Sequence, residues 1–349
     1  MIEANIYFTK ITEIGNDEGK NSETFLANDV QLNAELVVKQ IDKSKFLNPD
    51  EYFLESRMLY DCKHINIMEI QYASQDDNYI YLSMPYYKNG SLSKLIDTRY
   101  LSCREIVKYS LDLLSGVAYV HSKDLIHLDI KPTNILIDDS NRAVLTDFGL
   151  SKYLDCNDIA DQPKNYKYHL DPEYFLRSGR TKLSDIYQIG LTLYRMCNGN
   201  NILLSQYAAL NPTFSDANLP SIILSGKFPD RDYFLPHVPN KLKNIIKKAL
   251  KLNTNDRYNN VIEIMNDLSE IDENLDWIYT GNPSELYYLV DEKNKITISI
   301  VNNKGVTEIK CTKENLSTGR IINMHKYCST GHTSEKVVLS EIAKIIKDI

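Results

Sequence analysis

The sequence lacks several features that would place it in a special class of proteins. It contains no stretch of about 18 consecutive apolar residues, and its first residues carry no basic segment followed by an apolar one. We therefore expect neither a membrane span nor a secretory signal. An excess of positive charge is also missing, since the formal net charge is −7. This deficit argues against a primary role in binding nucleic acid.

Cysteine is sparse as well, with six residues scattered along the chain. Scattered cysteines indicate reduced thiols in a cytoplasmic protein and exclude a dense disulfide framework. Arginine, alanine and glycine are scarce, whereas asparagine, isoleucine, lysine and tyrosine are frequent, a bias that fits an AT-rich, bacterial genome. With 43% hydrophobic and 25% charged residues, 349 residues are enough for two or three cores.

The most informative part of the chain is a pair of motifs, HLDIKPTN at residues 127–134 and DFG at residues 147–149. Phosphoryl transfer from a metal–nucleotide needs a carboxylate to orient a hydroxyl, and an amide and a second carboxylate to hold Mg²⁺. A nearby ammonium group can neutralise charge on the transferred group. The residues for these roles are Asp129 for the hydroxyl, Asn134 and Asp147 for the metal, and Lys131 for the charge.

The spacing of the two motifs predicts how they meet. Apolar runs at residues 135–137 and 143–145 flank the polar segment 138–142, which is typical of a β-hairpin. Folding that hairpin would bring Asn134, just before its first strand, next to Asp147, just after its second. Oxygen ligands converging in this way suit the hard cation Mg²⁺.

With these motifs, the chain resembles eukaryotic-type (Hanks-type) serine/threonine protein kinases over roughly its first 270 residues. The resemblance implies an α+β, two-lobed kinase fold, with a β-rich N-lobe carrying one helix and a helical C-lobe. A small β-rich/α appendage would follow. It also implies ATP and Mg²⁺ as cofactors and a protein, unidentified by the sequence, as the substrate. The expected domains are residues 1–85 (N-lobe), 86–271 (C-lobe) and 272–349.

The resemblance assigns Lys39, in an apolar strand at residues 35–41, to the α- and β-phosphates of the nucleotide. Val37 would lie over the adenine. The partner of the lysine would be Glu55, in a helix that we expect to begin at Asn48-Pro49 and to end near Cys62. Glu51, one turn earlier on the same face, is its rival.

The loop that would cover the phosphates is the poorest match to the family. Where the family has G-x-G-x-x-G, this chain has Gly15 and Gly19, and Asn21 and Ser22 occupy later glycine positions. Glycine lets backbone N–H groups approach phosphates closely, so we expect weaker contact here. Gly15, Gly19 and Ser22 are nevertheless the nucleotide-binding candidates.

The resemblance places the connection between the lobes after a strand at residues 79–84. Met84 would gate the deep part of the nucleotide pocket, and the backbone from Pro85 to Tyr87 would pair with adenine, provided that the Tyr87 N–H is free. Leu136 belongs to the same cofactor-binding group. Lys131 favours serine or threonine over tyrosine as the acceptor.

The C-lobe is predicted to begin with a long helix, capped by Ser102 and Glu105 and ending near Lys123. A later helix would be capped by Ser184, and its Asp185 would hold the backbone of residues 127–134. Glu173 and Arg257 are expected to form a buried ion pair.

Two departures from the family concern regulation. Leu128 stands where many members carry an arginine that receives a phosphorylated residue of the activation segment. In that segment, residues 150–170, Ser151 is the one serine or threonine, alongside Tyr153, Tyr166 and Tyr168. We therefore predict activity without phosphorylation of this segment.

Residues 272–349 lie outside the resemblance. Four strands are predicted, at residues 277–279, 286–290, 296–300 and 306–310, followed by a helix at about 334–347. We favour a substrate- or partner-docking module. The alternatives are a double-stranded RNA module and a zinc site. Zinc would use Cys311, His325, Cys328 and His332, whose spacing matches no standard ligand set.

Other functions compete with a protein kinase. The altered glycine loop motivates a pseudokinase that binds nucleotide and partners without catalysis. A small-molecule kinase of the aminoglycoside type shares the aspartate and asparagine logic but lacks a comparable segment from DFG to Pro172-Glu173. The sequence leaves the oligomeric state open.

Overall fold

The computed structural model describes residues 6–14, 22–45, 53–160, 169–176, 179–303 and 305–349. Within these ranges the chain forms two lobes and a third, C-terminal layer built on a separate sheet. Among the described helices, none has the length and apolar character that crossing a bilayer requires.

The N-terminal lobe is an antiparallel sheet of five strands in the order β1-β2-β3-β5-β4, with one helix. Alternation along β3 buries Leu36 and Val38, because successive side chains of a strand point to opposite faces. The expected helix start at Asn48-Pro49 lies outside the described residues. The elements are β1 (Phe8–Glu13), β2 (Ser22–Asp29), β3 (Ala34–Asp42), α1 (Leu54–Asp61), β4 (Tyr72–Gln75) and β5 (Tyr79–Pro85).

The second lobe is helical and is organised around two long helices, α3 and α5. The predicted capping box of α3 is confirmed, since Ser102 accepts from the Glu105 N–H and Glu105 reaches back to Ser102. The elements are α2 (Leu92–Thr98), α3 (Cys103–Ser122), β6 (Leu125–Ile126), β7 (Ile135–Ile137), β8 (Ala143–Leu145), β9 (Lys152–Tyr153), α4 (Pro172–Leu176), α5 (Lys182–Asn198), α6 (Asn200–Leu210), α7 (Leu219–Leu224), α8 (Asn240–Ala249) and α9 (Val261–Ser269).

The cap of α5 differs from the prediction. Thr181, and not Ser184, is the N-cap residue, and its hydroxyl accepts from the Leu183 N–H. Ser184 lies at the third helical position and accepts from the Thr181 N–H. The prediction was wrong because a threonine and a serine three residues apart both fit a capping pattern, and the first of them starts this helix.

The C-terminal residues form a second antiparallel sheet, in which β10 to β14 follow one another and β15 also pairs with β13. The four predicted strands and the closing helix are confirmed, whereas β14 and β15 were missed. The elements are β10 (Ile278–Tyr279), β11 (Tyr287–Val290), β12 (Asn294–Asn303), β13 (Val306–Asn315), β14 (Ile321–Asn323), β15 (Ser329–His332) and α10 (Glu335–Asp348).

One face of this sheet packs against α10. Ile298, Ile309 and Cys311 of the sheet are fully buried with Ile342 of the helix. The side chain of Cys328 lies beside Cys311, whose N–H donates to its Sγ at 3.4 Å. No group of three or more histidine, cysteine or acidic side chains that could hold a metal occurs in the described part of the chain. The alternative of a zinc site at Cys311, His325, Cys328 and His332 is therefore not formed.

The C-terminal sheet joins the helical lobe at the start of α3. Arg104 donates to both carboxylate oxygens of Asp276, at 2.6 and 2.7 Å. Tyr100 packs edge to face on Tyr279, with 4.5 Å between ring centroids. A Cβ atom at Gly199 would lie 3.2 Å from the Tyr100 ring, and one at Gly281 would lie 3.6 Å from it. Both glycines also have positive φ angles, so glycine suits both positions.

Candidate active site

The hairpin of β7 and β8 places the two motifs side by side. Ile135 pairs with Leu145, and the Thr146 N–H donates to the Asn134 carbonyl at 2.9 Å. The predicted hairpin is thus confirmed, and it brings Asn134 and Asp147 to the same end of the ribbon. Asp147 has a φ of 61°, a left-handed conformation that is uncommon outside glycine and that often marks a functional site.

Asp129 lies in the loop before this hairpin with its two carboxylate oxygens in different surroundings. Its Oδ2 lies 3.0 Å from Lys131 Nζ and accepts from Asn134 Nδ2 at 2.8 Å. The same amide nitrogen donates to the Asp129 carbonyl at 2.9 Å. Its Oδ1 is buried and accepts no hydrogen bond from the described residues. One oxygen is therefore fixed, and the other is left as an acceptor.

A second charged group faces this loop from the N-terminal lobe. Lys39 Nζ lies 2.8 Å from Glu55 Oε1 and 2.9 Å from Asp147 Oδ1. The lysine of β3 thus bridges the helix α1 and the end of the hairpin. The expected pairing with Glu55 forms in the structure, whereas the rival, Glu51, lies outside the described residues.

The charges of this group are fixed by burial and by the lysine. Burial raises the pKa of Glu55, an effect that the adjacent Lys39 only partly offsets. Burial would also raise the pKa of Asp147, but Lys39, together with Lys131 and His127, outweighs it and lowers that pKa to about 2. Asp147 is therefore ionised at neutral pH, which is the state that a metal ligand needs.

Phe148 connects the DFG segment to α1. Its ring is 1% exposed and packs with Met58 and Leu59 of that helix. The His127 ring meets it edge to face, 4.8 Å away. These contacts hold α1 against the helical lobe, so that Glu55 faces Lys39.

Apolar candidates for the nucleotide pocket gather in one cluster between the lobes. Met84 is 8% exposed and packs with Met68 and Val144. Three other predicted residues pack against this group, namely Val37, Tyr87 and Leu136.

The connection between the lobes leaves the expected backbone donor available. Pro85 still pairs with Leu36 in the sheet, and the Tyr87 carbonyl accepts from the Gly90 N–H at 3.1 Å. The Tyr87 N–H forms no hydrogen bond within the described residues. Ser22 begins β2, opposite Ile41. Gly15 and Gly19 lie outside the described residues, and their role stays a prediction.

Side chains of helix α5 hydrogen-bond to the backbone of the loop that contains Asp129. Asp185 accepts from the backbone N–H groups of His127, at 2.9 Å, and Leu128, at 2.7 Å. Gln188 accepts from the Ile130 N–H and donates to the Leu128 carbonyl, both at 2.8 Å. Asp185 was expected from the sequence and Gln188 was not. The signal was its position one helical turn after Asp185, on the same face.

The segment after DFG is anchored by apolar and backbone contacts. Leu128 is completely buried and packs with Ile126, Leu154 and Ala160. Backbone hydrogen bonds join Ala160 to Arg180, at 2.8 and 3.0 Å. Tyr166 and Tyr168 lie outside the described residues.

Ser151, in contrast, is described and is 4% exposed. Its hydroxyl donates to the His127 carbonyl at 3.3 Å. A buried and hydrogen-bonded serine is a poor acceptor for a modifying enzyme.

The expected ion pair between Glu173 and Arg257 is formed, with 2.8 Å between the groups. Burial raises the pKa of Glu173 to about 7 in spite of this arginine. Arg257 also donates to the carbonyls of Lys251 and Leu183, both at 2.7 Å. The pair ties α4 to the segment before α9, and its role is structural.

The donor set fits a magnesium nucleotide. An ionised carboxylate at Asp147 and an amide at Asn134 supply oxygen ligands, and Lys39 supplies a cation for phosphate. Mg²⁺ typically takes one or two protein ligands and completes its octahedron with water and phosphate oxygens. The buried Asp129 Oδ1, without a partner in the described chain, is an acceptor left for a donor from outside that part of the chain.

Comparison with known proteins agrees with this geometry. A family model described as "Protein kinase domain" matches residues 8–268, well over half of the chain. The probable serine/threonine-protein kinase PknB of Lactococcus lactis is 28% identical over 267 residues, which cover 74% of this chain and 41% of that protein.

Two further relatives show the same pattern. Serine/threonine-protein kinase PrkC of Bacillus subtilis is 28% identical over 247 residues, covering 69% of this chain and 37% of that protein. Mouse serine/threonine-protein kinase Nek1 is 25% identical over 267 residues, covering 73% and 21%. The chain thus spans less than half the length of each of these three relatives.

Proposed function

Because the chain belongs to the protein kinase family, we propose that it transfers the γ-phosphoryl group of Mg–ATP to a serine or threonine hydroxyl of a protein. The observation that carries this proposal is the convergence of Asp129, Lys131 and Asn134 with Lys39 and Asp147. The names of PrkC, a serine/threonine-protein kinase, and of PknB, a probable one, support the choice of acceptor.

In this proposal Asp129 positions the acceptor. Its Oδ1 accepts a hydrogen bond from the substrate hydroxyl, while Oδ2 stays bound to Lys131 and Asn134. Lys131, in contact with the same carboxylate, places its positive charge beside the reacting oxygen. Catalysis of this kind depends on position and charge rather than on a covalent intermediate.

Lys39 would hold the α- and β-phosphates, and its pair with Glu55 fixes the ammonium group. Asn134 and Asp147 would hold Mg²⁺. Mg–ATP supplies the transferable phosphoryl group and the metal that neutralises its charge.

Nucleotide recognition would use the cleft between the lobes. Val37, Met84 and Leu136 provide apolar surface for the adenine, and the backbone from Pro85 to Tyr87 pairs with its edge. The phosphate-covering group would be Gly15, Gly19 and Ser22.

The first experiment incubates the purified chain and a generic protein acceptor with ATP labelled at the γ-position. We expect transfer by the wild type and a loss of about a thousandfold or more in Asp129→Ala, since the acceptor loses its orienting group. Asp139→Ala is the matched control, because Asp139 is exposed in the turn of the hairpin. If the wild type transfers no more phosphate than Asp129→Ala and still binds nucleotide, the pseudokinase is favoured.

We further propose that activity needs no phosphorylation of the activation segment. Leu128 replaces the charged receptor for a phosphate with apolar packing on Leu154 and Ala160. Ser151 is buried.

Phosphatase treatment should therefore leave the transfer rate unchanged. Mass spectrometry of the untreated protein identifies any site. A large loss of activity together with a phosphosite mapped to residues 150–170 would contradict this part of the proposal.

Location and domain limits complete the proposal. All six cysteines are free thiols, which supports a reducing, cytoplasmic compartment, and bacterial relatives support a bacterial setting.

We place the domain limits at residues 85/86 and 271/272, with residues 272–349 as a partner-docking module. The separate apolar core of that module supports the second limit.

A further inference from the structure

A cavity of about 670 Å³ lies where the C-terminal sheet meets the helical lobe. We name it the junction cavity. The helical lobe contributes the end of α2, the start of α3 and the start of α6, and the sheet contributes β10 and β11. Residues that matter for its chemistry are Asp97, Arg99, Tyr100, Asn200, Tyr279 and Tyr288.

Among the residues that line the junction cavity, the charge left unneutralised is negative. Arg99 donates to both oxygens of Glu105, at 2.9 and 2.5 Å, so these two charges cancel. Asp97 has no basic partner among the described residues, and its Oδ1 accepts from Asn200 Nδ2 at 2.7 Å. One carboxylate oxygen, Oδ2, is therefore open to a donor from outside the chain.

Aromatic rings form another part of the wall. Tyr100 and Tyr279 stack edge to face, and Tyr288 lies on the neighbouring strand. Within the described chain, their hydroxyls form no hydrogen bonds to protein groups. Lys295 Nζ stands 5.0 Å from the centroid of the Tyr288 ring, so this ring already has a cation partner, and Tyr100 and Tyr279 are the rings that remain for a ligand.

A carboxylate beside tyrosine rings suits a guanidinium group. Arginine presents donors in a planar fork and stacks on aromatic faces, whereas lysine offers a strongly hydrated point charge. A phosphate or a carboxylate would be repelled by Asp97. The net charge of −7 adds long-range attraction for a basic segment.

Asp97 is the outer end of a hydrogen-bond chain that reaches the candidate active site. Asn200 Oδ1 accepts from Arg195 Nε at 2.7 Å, and Arg195 Nη1 lies 2.8 Å from His169 Nε2. His169 Nδ1 lies 3.1 Å from the carbonyl of Ile130, the neighbour of Asp129. Arg195, Asn200 and His169 are all buried.

The protonation of His169 follows from these contacts. Burial and the adjacent Arg195 hold its pKa well below the usual range, so the ring is neutral. Arginine can only donate, and Nε2 is therefore the acceptor. The single ring proton sits on Nδ1 and is donated to the Ile130 carbonyl.

We propose that the junction cavity binds an arginine side chain from an extended segment of a partner protein, and that its occupancy alters the loop of Asp129 through Asn200, Arg195 and His169. The binding is independent of the proposed activity. The second part uses the same loop but does not require phosphoryl transfer for its test.

The binding experiment uses a fluorescently labelled peptide of glycine, serine and arginine, and a matched peptide with citrulline in place of arginine. Citrulline keeps the shape of arginine and removes its charge. We expect saturable binding of the arginine peptide by the full chain, measured by fluorescence anisotropy. Binding of the citrulline peptide should be weaker by about fivefold or more, the effect of one partly exposed charged contact.

Asp97→Asn should weaken the binding of the arginine peptide by about the same fivefold factor. This variant keeps an oxygen for Asn200, so the fold is preserved. Asp77→Asn removes the same charge from an exposed turn of the N-terminal lobe and should leave the affinity unchanged. Equal affinity for the two peptides, or equal weakening by the two variants, would overturn the proposal.

Asp129→Ala separates this site from the catalytic cleft. We expect it to bind the arginine peptide as the wild type does, whether or not the wild type is an active kinase. Because coupling between two sites is reciprocal, this result is read together with Asp97→Asn. Loss of binding in Asp129→Ala with unchanged affinity in Asp97→Asn would place the peptide in the cleft and refute the junction cavity as its site.

The coupling is tested by hydrogen–deuterium exchange. Saturation with the arginine peptide should slow amide exchange in residues 127–131, and the citrulline peptide should not. In Asp97→Asn at the same peptide concentration the effect should shrink in proportion to the lower occupancy of the cavity. Unchanged exchange in a saturated wild type would refute the coupling.

Discussion

At the scale of single residues, Asp129 shows how the site is prepared. Lys131 and Asn134 hold one carboxylate oxygen, and the other is buried without a partner in the described chain. An unsatisfied buried acceptor costs about 1–3 kcal/mol. Such a cost is expected where a substrate group completes the hydrogen bonding.

His237 makes stability depend on pH. It is fully buried, and this burial lowers the pKa of its ring from 6.5 to about 4. The neutral ring is favoured in the folded protein, so its contribution is present above pH 6.5 and is lost as the pH falls towards 4. At about pH 5 the loss is on the order of 2 kcal/mol.

We predict that His237→Gln removes this part of the pH dependence. Glutamine can still donate to the Leu101 carbonyl, the partner of His237 at 3.3 Å. We would measure the free energy of unfolding with urea at about pH 7.5 and pH 5. The decrease between these two pH values should be about 2 kcal/mol smaller in the variant than in the wild type. An identical fall in both proteins would show that His237 does not titrate in this way.

Residues of the candidate site could be predicted from the sequence because their types and spacing are unusual. Asp129, Asn134 and Asp147 were found in this way. Gln188 was missed, since its position one turn after Asp185 was the single signal and its three backbone partners lie 58, 60 and 19 residues away in sequence. His169 and Arg195 were missed for the same reason.

At the scale of elements, α5 acts as the platform for the loop of Asp129. Asp185, Gln188 and Thr192 share one face of the helix and bind backbone groups between His127 and Ile130. The position of Asp129 therefore depends on a rigid helix rather than on the loop itself.

We predict that Gln188→Leu lowers kcat by about tenfold or more, ~1.4 kcal/mol of barrier, with little change in KM for ATP. The Ile130 N–H loses its partner and the loop shifts, whereas the contacts assigned to the nucleotide stay. Steady-state kinetics measures both constants.

Gln206→Leu is the matched control. Gln206 lies on α6, where its amide likewise donates and accepts: it donates to the Tyr194 hydroxyl and accepts from the Asp230 N–H. Both variants should lose stability, and only Gln188→Leu should lose kcat. An equal loss of kcat would mean that general destabilisation explains the effect.

Long elements with clear periodicity could be predicted from the sequence, and short ones could not. Helix α3 begins at its capping box as expected. Strand β14 has three residues, all exposed, and β15 is Ser-Thr-Gly-His. Neither shows apolar alternation, so both depend on pairing with β13, which local sequence does not reveal.

At the scale of the whole molecule, two apolar cores meet at the C-terminal junction. Tyr279 packs against both the core of the helical lobe and that of the C-terminal sheet. Tyr287 is fully buried, and its ring lies 4.9 Å from Tyr279 and 5.8 Å from His237. The sheet is thus attached through aromatic contacts as well as through the Arg104–Asp276 pair.

We predict that Tyr287→Ala destabilises the C-terminal sheet by about 3–5 kcal/mol, as expected for deleting a buried aromatic ring. Trp277 is the single tryptophan of the chain and lies in this core, so its fluorescence reports on the sheet. In the variant, the change in Trp277 fluorescence should occur at a lower urea concentration than the loss of the helical circular dichroism signal.

Tyr60→Ala is the control for Tyr287→Ala, because Tyr60 is 60% exposed. This variant should change the free energy of unfolding by no more than about 0.5 kcal/mol. Coincident transitions in Tyr287→Ala would show that the sheet and the helical lobe unfold as one unit.

The packing of Tyr100 between Gly199 and Gly281 has a consequence for the evolution of this architecture. A side chain at position 199 would crowd the ring, and the positive φ angles at 199 and 281 disfavour residues other than glycine, so descendants that keep both layers should preserve the three positions as a set. A lineage that lost the C-terminal sheet would be released from the constraint at position 281 but would keep the one at position 199. An alignment in which positions 100, 199 and 281 change together would therefore indicate at which branch of the family the sheet was acquired.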